Sequence, residues 1–150
     1  MGYTDQRDAI LVHAKAAALA ANSTWTNVAI GWPIPNGKSV RVYYGGERTP
    51  VRMPHDRSFT GELVAEVIVC VAFWPLSALN TDGAKLMDDE MYTFKHELRT
   101  RVLGDSQLGG KATDLEMSYA TPDLVVIGNT RYAIIEAQFA TDFTEYPLAP

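Results

Sequence analysis

The sequence predicts an α+β domain, with two main helices packed on one face of a mixed, largely antiparallel sheet. Three observations carry that expectation. Segments 4–22 and 81–104 space their apolar residues as helices do. Segments 62–74 and 131–146 alternate as long strands do. The chain order is helix, two or three strands, a long loop, a long strand, helix, then two or three further strands. With 150 residues and 47% hydrophobic content, the chain is long enough for one core and too short for two ordinary domains. Residues 1–150 therefore read as a single domain.

The first element, "TDQRDAILVHAKAAALAAN", has Thr4 or Asp5 as a cap and alanine through its middle. Ile10, Leu11, Ala14, Ala17, Ala18 and Ala21 make a narrow apolar face whose small side chains allow close packing. Asn22, Ser23 and Thr24 stop it. A short strand follows within 25–32 and is broken by two prolines; Trp32 before Pro33 is biased toward extended backbone, which disfavours a helix through this point. Asn36-Gly37 signals a turn before the strand "KSVRVYY". Residues 45–60, "GGERTPVRMPHDRSFT", mix glycine, proline and both charges without periodicity. They read as a long loop, mobile in the isolated protein and ordered by a partner.

From Glu62 to Trp74, one face carries Leu63, Ala65, Val67, Val69, Val71 and Phe73, and the other turns apolar after Glu66. A strand apolar on both faces over its second half belongs in the middle of a sheet. The clearest helix is "TDGAKLMDDEMYTFKHELRTRVLG", with acids in its first turns, basic residues in its last and Gly104 placed to end it. Met87, Met91, Phe94, Leu98 and Val102 form its buried stripe. "DLEMSY" and "DLVVIG" are two short strand candidates, Gly128-Asn129 is a turn, and "RYAIIEAQFATDFTEY" is the closing strand. From about residue 144 the chain reads as an extended C-terminal tail.

Composition removes several classes of function. The longest apolar run, 63–74, is interrupted by Glu66 and falls short of the ~20 residues a membrane span requires. The first residues carry both signs of charge and no apolar core of a signal peptide, so a cytoplasmic site of synthesis and no membrane are expected. Cys70 is the only cysteine and sits in an apolar strand, which suits a buried, inert thiol. A net charge of −5 argues against affinity built on neutralising nucleic-acid phosphates. The charge is unevenly spread. From Asn36 to Gly61, Lys38, Arg41, Arg48, Arg52 and Arg57 stand against Glu47 and Asp56, a net of +3 that leaves −8 for the rest. A basic segment on an acidic body suggests complementary surfaces on neighbouring copies or partners.

No catalytic constellation emerges. His13, His55 and His96 fall on three separate elements without a zinc-ligand spacing. Asp88, Asp89 and Glu90 are consecutive on a helix, so they point in different directions and read as a solvated face. Glu66 and Glu136, on strands with apolar neighbours, are the best candidates for unusual titration, but no nucleophile or base accompanies them. "YGGERTP" and "LGGKATD" are not phosphate loops in a strand-to-helix setting. The expectation is a non-enzyme with no catalytic residue, no cofactor and no metal. Trp25, Trp32, Tyr43, Tyr44, Tyr132, Phe139, Phe143 and Tyr146 exceed what a small core obviously requires, which favours a protein interface.

A helix ending in "LRTRVLGDSQLGG", the strand "KATDLEMSY" and a glycine-turn hairpin closing in "NTRYAIIEAQFATDF" together resemble the tail-terminator, or tail-completion, proteins of long-tailed bacteriophages. Arg99, Leu103, Leu108, Gly109 and Gly110 carry the likeness at the helix-to-strand junction, and Tyr132 with Ala133 carries it at the start of the final strand. The residue pattern covers about 94–146. The resemblance implies an α+β domain that assembles as a hexameric ring in the virion tail. That ring caps the tail tube, ends its elongation and offers a surface to the head connector. DNA passes through the channel without specific binding. Six copies at −5 would carry about −30, which would let DNA pass without sticking if the acids face the lumen. Under that reading Arg48, Arg52 and Arg57 are the expected subunit or tail-tube contact, and Gly104, Gly109 and Gly110 turn the chain back to the sheet. The alternatives are another neck or head-completion connector protein, a small-ligand-binding domain or enzyme using the Glu66/Glu136 sheet face, and a general interaction domain.

Overall fold

The computed structural model describes residues 3–51, 62–76, 81–104 and 116–145. In chain order these form α1 (Tyr3–Ala21), β1 (Val28–Ile30), β2 (Ser39–Val51), β3 (Glu62–Pro75), α2 (Thr81–Leu103), β4 (Glu116–Ile127) and β5 (Thr130–Glu145). The strands make one five-stranded sheet in the order β1-β2-β3-β5-β4. The β1–β2 pair is parallel and the other pairs are antiparallel. This is the α+β architecture the sequence predicts, with β3 in the centre.

Both helices pack on one face of the sheet because alternation along β3 and β5 gives them an apolar floor. Ile68, Cys70, Ala72 and Trp74 of β3, with Ala133, Ile135, Ala137 and Phe139 of β5, join the core under the helices. From α1 the buried apolar residues are Ile10, Ala14, Ala17 and Ala18, and from α2 they are Met91, Phe94, Leu98 and Val102. Alanine on α1 removes the side-chain bulk that would hold the helix away from α2 and β2. Burial pushes the Cys70 thiol well above its ordinary pKa, which makes it unreactive.

Where α1 ends, Asn22 turns the chain. Its N–H donates to the Ala18 carbonyl at 3.0 Å. Its side-chain oxygen accepts from the Thr24 N–H at 2.9 Å and the Thr24 hydroxyl at 2.7 Å. The turn delivers Trp25, only 2% exposed, into the core. There its ring meets Trp74 edge-on at 4.9 Å and stacks on Phe94 at 6.1 Å.

Two sequence expectations are corrected. The predicted loop at 45–60 is strand as far as Val51, because Gly45 and Gly46 form an irregularity in the β2–β3 ladder. Gly46 has φ 96°, and a Cβ on Gly45 would stand 2.5 Å from Val69 Cγ2. Residues 52–60 of that loop lie outside the described residues. The two short strands predicted at 114–119 and 123–128 are one strand, β4, running through Pro122. Proline fits there because β4 is an edge strand, where a missing N–H breaks no ladder bond. The turn at Gly128-Asn129 is as expected, with Gly128 at φ 62°.

Candidate functional site

The helix-free face of the sheet has its own small apolar cluster. Val71, Phe73 and Tyr132 are buried in it, with Tyr43, Val125 and Ile134 packed around them. Register explains the grouping: Phe73 lies opposite Ile134, Val71 opposite Glu136, and Val125 opposite Tyr132, so these side chains share a face. Val71, Phe73, Val125 and Ile134, with Pro33, Ile127, Tyr43 and Glu136, line a concavity of about 250 Å³. The Tyr43 hydroxyl donates to Glu136 Oε1 at 3.3 Å. Burial, then the charge of Glu136 and that hydrogen bond, push the Tyr43 hydroxyl up to about 12.

Beside this face the link from β1 to β2 carries Trp32, 75% exposed, and the exposed Ile34. The Trp32 ring lies 6.2 Å from that of Tyr43. The link is held by Arg41, whose Nε donates to the Ile34 carbonyl at 3.1 Å and whose Nη1 donates to Asn27 Oδ1 at 3.0 Å. Desolvation pulls the Arg41 pKa down from its ordinary value. A second apolar patch sits on the other edge and the other face. Leu124 and Val126 of β4 are each 68% exposed. They lie opposite Ala133 and Arg131, on the helix-side alternation.

The β4 edge itself is blunted. Pro122 has no N–H, and the Leu124 N–H donates to Asp123 Oδ1 at 2.7 Å. Positions two apart on a strand aim their N–H groups the same way, so two consecutive donor positions are closed to an added strand. A partner at this edge meets side chains rather than backbone.

The sequence-predicted site residues are partly located. Arg48 is on β2, opposite Ala65, while Arg52 and Arg57 lie outside the described residues, as do Gly109 and Gly110. Gly104 ends α2 as expected: its N–H donates to the Thr100 carbonyl at 2.9 Å, and a Cβ there would stand 2.5 Å from that oxygen. Glu66 and Glu136 are not brought together. Glu136 faces the helix-free side opposite Val71, whereas Glu66 is buried and lies opposite Thr141 on the other alternation. One shared Glu66/Glu136 surface therefore does not exist. Of the aromatic residues read as interface candidates, Trp25, Phe139 and Tyr132 are core, while Trp32 and Tyr44 are exposed. The Phe143 side chain and Tyr146 lie outside the described part.

Glu90 is a further correction. Asp88 and Asp89 are solvated, but Glu90 is 6% exposed. Its carboxylate accepts from Asn22 Nδ2 at 2.6 Å and Trp74 Nε1 at 3.0 Å, and pairs with Lys38 Nζ at 2.7 Å. Burial pushes its pKa up, but the hydrogen bonds from Lys38, Asn22 and Trp74 and the Lys38 charge outweigh it and hold the group below its ordinary value. This is a structural anchor, tying α2 to the end of α1, the start of β2 and the end of β3. Among the described residues, no group of three or more histidine, cysteine or acidic side chains could hold a metal ion, and no helix is long and apolar enough to cross a membrane.

No family model matches the chain, and no curated protein matches it. A solved structure that bears no functional name is similar over 99% of this chain and 99% of its own, at 12% identity and a TM-score of 0.49. Likeness at that level carries no argument about function.

Proposed function

We propose that this chain is a tail-terminator subunit of a long-tailed bacteriophage. It is a structural protein that forms a ring and acts as a cap: it closes the tail tube, ends elongation and presents the attachment surface for the head connector. The observation that carries the reading is the pair of unlike apolar patches on opposite edges and opposite faces of one sheet. Trp32 and Ile34 lie beside β1, and Leu124 and Val126 lie on β4. Unlike patches at opposite ends join copies head to tail, and a head-to-tail contact closes into a ring when its rotation allows. Four strand spacings separate the two edges, about 19 Å along the sheet.

Further support comes from the residues that carry the family resemblance. Arg99 and Leu103 close α2, and Tyr132 and Ala133 open β5, in the order the family resemblance implies. Under this reading the subunit works in the virion at the head-proximal end of the tail, with tail tube protein on one side and connector on the other. DNA crosses an acidic channel without specific contacts. A head-completion or connector protein would use the same physical logic with a different partner. Incubating the purified chain with purified tail tubes and, separately, with portal–connector complexes tests the proposal by sedimentation and negative-stain microscopy. Capping of tube ends is the expected result; binding to connectors alone would assign the chain to the neck instead, and binding to neither would remove the phage reading.

A further inference from the structure

The concavity on the helix-free face joins one carboxylate to an apolar and aromatic lining. Val71, Phe73, Val125 and Ile134 supply branched and aromatic surface, and Glu136 and the Tyr43 hydroxyl are the polar side-chain groups in the lining. Pro33 also lines it, so the exposed Trp32 next to it stands at the rim, 6.2 Å from the Tyr43 ring. The volume, about 250 Å³, is below the ~300–1,000 Å³ of sites for drug-sized ligands and suits one side chain.

The chemistry of that side chain follows from the lining. A carboxylate beside apolar groups is costly unless donors or a counter-charge satisfy it. Tyr43 is the one hydrogen-bond donor to Glu136 among the described residues, and a carboxylate has about four lone-pair sites. A neutral apolar side chain would bury the charge further. An arginine would do the opposite: its methylene stem covers Phe73 and Ile134, its planar head stacks on Tyr43 and Trp32, and its N–H groups meet Glu136.

We infer that this concavity receives an arginine side chain from a second copy of the chain. Charge complementarity points to the source: beyond Lys38 and Arg41, which are engaged within the subunit, segment 36–61 holds Arg48, Arg52 and Arg57 against Glu47 and Asp56, on a chain of net charge −5. The origin of the side chain rests on the proposed ring; the chemistry of the pocket does not.

Two measurements on the full chain separate these parts. In the first, the isotope-labelled protein is titrated with Nα-acetyl-arginine amide and, as a neutral comparison, Nα-acetyl-norleucine amide. Saturable shifts of the Trp32 indole and the Val71 and Ile134 methyls are expected, at least tenfold weaker for norleucine and for Glu136→Gln. Absence of saturable shifts, or equal binding of norleucine, overturns the pocket assignment. Tyr43→Phe serves as the second variant should Glu136→Gln fail to fold.

In the second, self-association is measured for wild type, for Glu136→Gln, for Arg48, Arg52 and Arg57 changed together to Gln, and for the combination. Each set alone should weaken association at least tenfold, with little further loss in the combination, because both remove one contact. Unchanged association in Glu136→Gln, or fully additive losses, overturns the pairing while leaving the ring intact. A wild type that never associates, either alone or with purified tail tubes, refutes the second-copy source and the ring together, and the titration then judges the pocket alone.

Discussion

The Lys38 ammonium lies 2.7 Å from Glu90 Oε2 and 4.7 Å from the centre of the Trp25 ring, so one cation serves both the buried carboxylate and the central aromatic residue. Glu90 receives Trp74 and Asn22 as well. The junction therefore fixes α2, the exit of α1 and the start of β2 against the sheet that carries the proposed contact surfaces.

Removing that carboxylate leaves the Trp74 N–H buried and the Lys38 charge uncompensated. Glu90→Ala is expected to cost about 3–4 kcal/mol, in the lower part of the range for breaking buried pairs because Lys38 keeps some access to water. Urea unfolding monitored by tryptophan fluorescence checks this. An unchanged midpoint would remove the junction from the account of stability.

The same residue sets an acid limb. Its folded pKa is held below the ordinary value of 4.5, so its stabilisation is complete above that value and is lost as pH falls through the folded pKa. Thermal unfolding from pH 7 to pH 3 should show the gap between wild type and Glu90→Gln closing at the acid end. A gap independent of pH would contradict the assignment.

Close packing of α1 depends on its alanines. Ala17 has no exposed surface, and Ala17→Leu is expected to cost about 1–3 kcal/mol by overpacking. Chemical denaturation gives the value directly. The exposed Leu19 position on the same helix should accept Ala within about 0.5 kcal/mol, the range for surface changes.

The glycine pair in β2 behaves differently at its two positions. Gly45→Ala places a methyl 2.5 Å from Val69 Cγ2 on a buried strand, and Gly46→Ala forces a side chain into φ 96°. Each is expected to destabilise by about 1–3 kcal/mol, the first through overpacking and the second through backbone strain. Paired unfolding curves test both; tolerance of Gly46→Ala would mean that the irregularity is absent in solution.

Much of this was legible in the residues. The stripes Ile10, Ala14, Ala17, Ala18 and Met91, Phe94, Leu98, Val102 are the faces that α1 and α2 bury, because helical spacing alone decides which side chains meet the sheet. The extent of β2 and β4 was not legible. Gly45-Gly46 and Pro122 are local breakers whose effect is cancelled by position, in one case by an irregular ladder and in the other by a sheet edge. Glu90 did carry a signal: it falls three residues after Met87 and four before Phe94, on the buried side of the helix. Its partners Asn22, Lys38 and Trp74 come from three other places in the chain, so only the fold reveals why a charge belongs there. The opposite facing of Glu66 and Glu136 likewise depends on the β3–β5 register, which neither strand encodes alone.

Unlike patches on opposite edges are the centre of the functional account, and Trp32→Ala combined with Leu124→Asp should leave the fold intact, within about 1 kcal/mol as surface changes go, while abolishing association. Circular dichroism and sedimentation on the same samples check the two halves of that statement. Loss of both fold and association would place these residues in the core instead.

The most direct test is native mass spectrometry of the purified full chain over a concentration series, repeated in the presence of purified tail tubes. A closed ring of six subunits, either free or on the tube ends, is the expected result. A monomer at every concentration, both alone and with tubes, would contradict it.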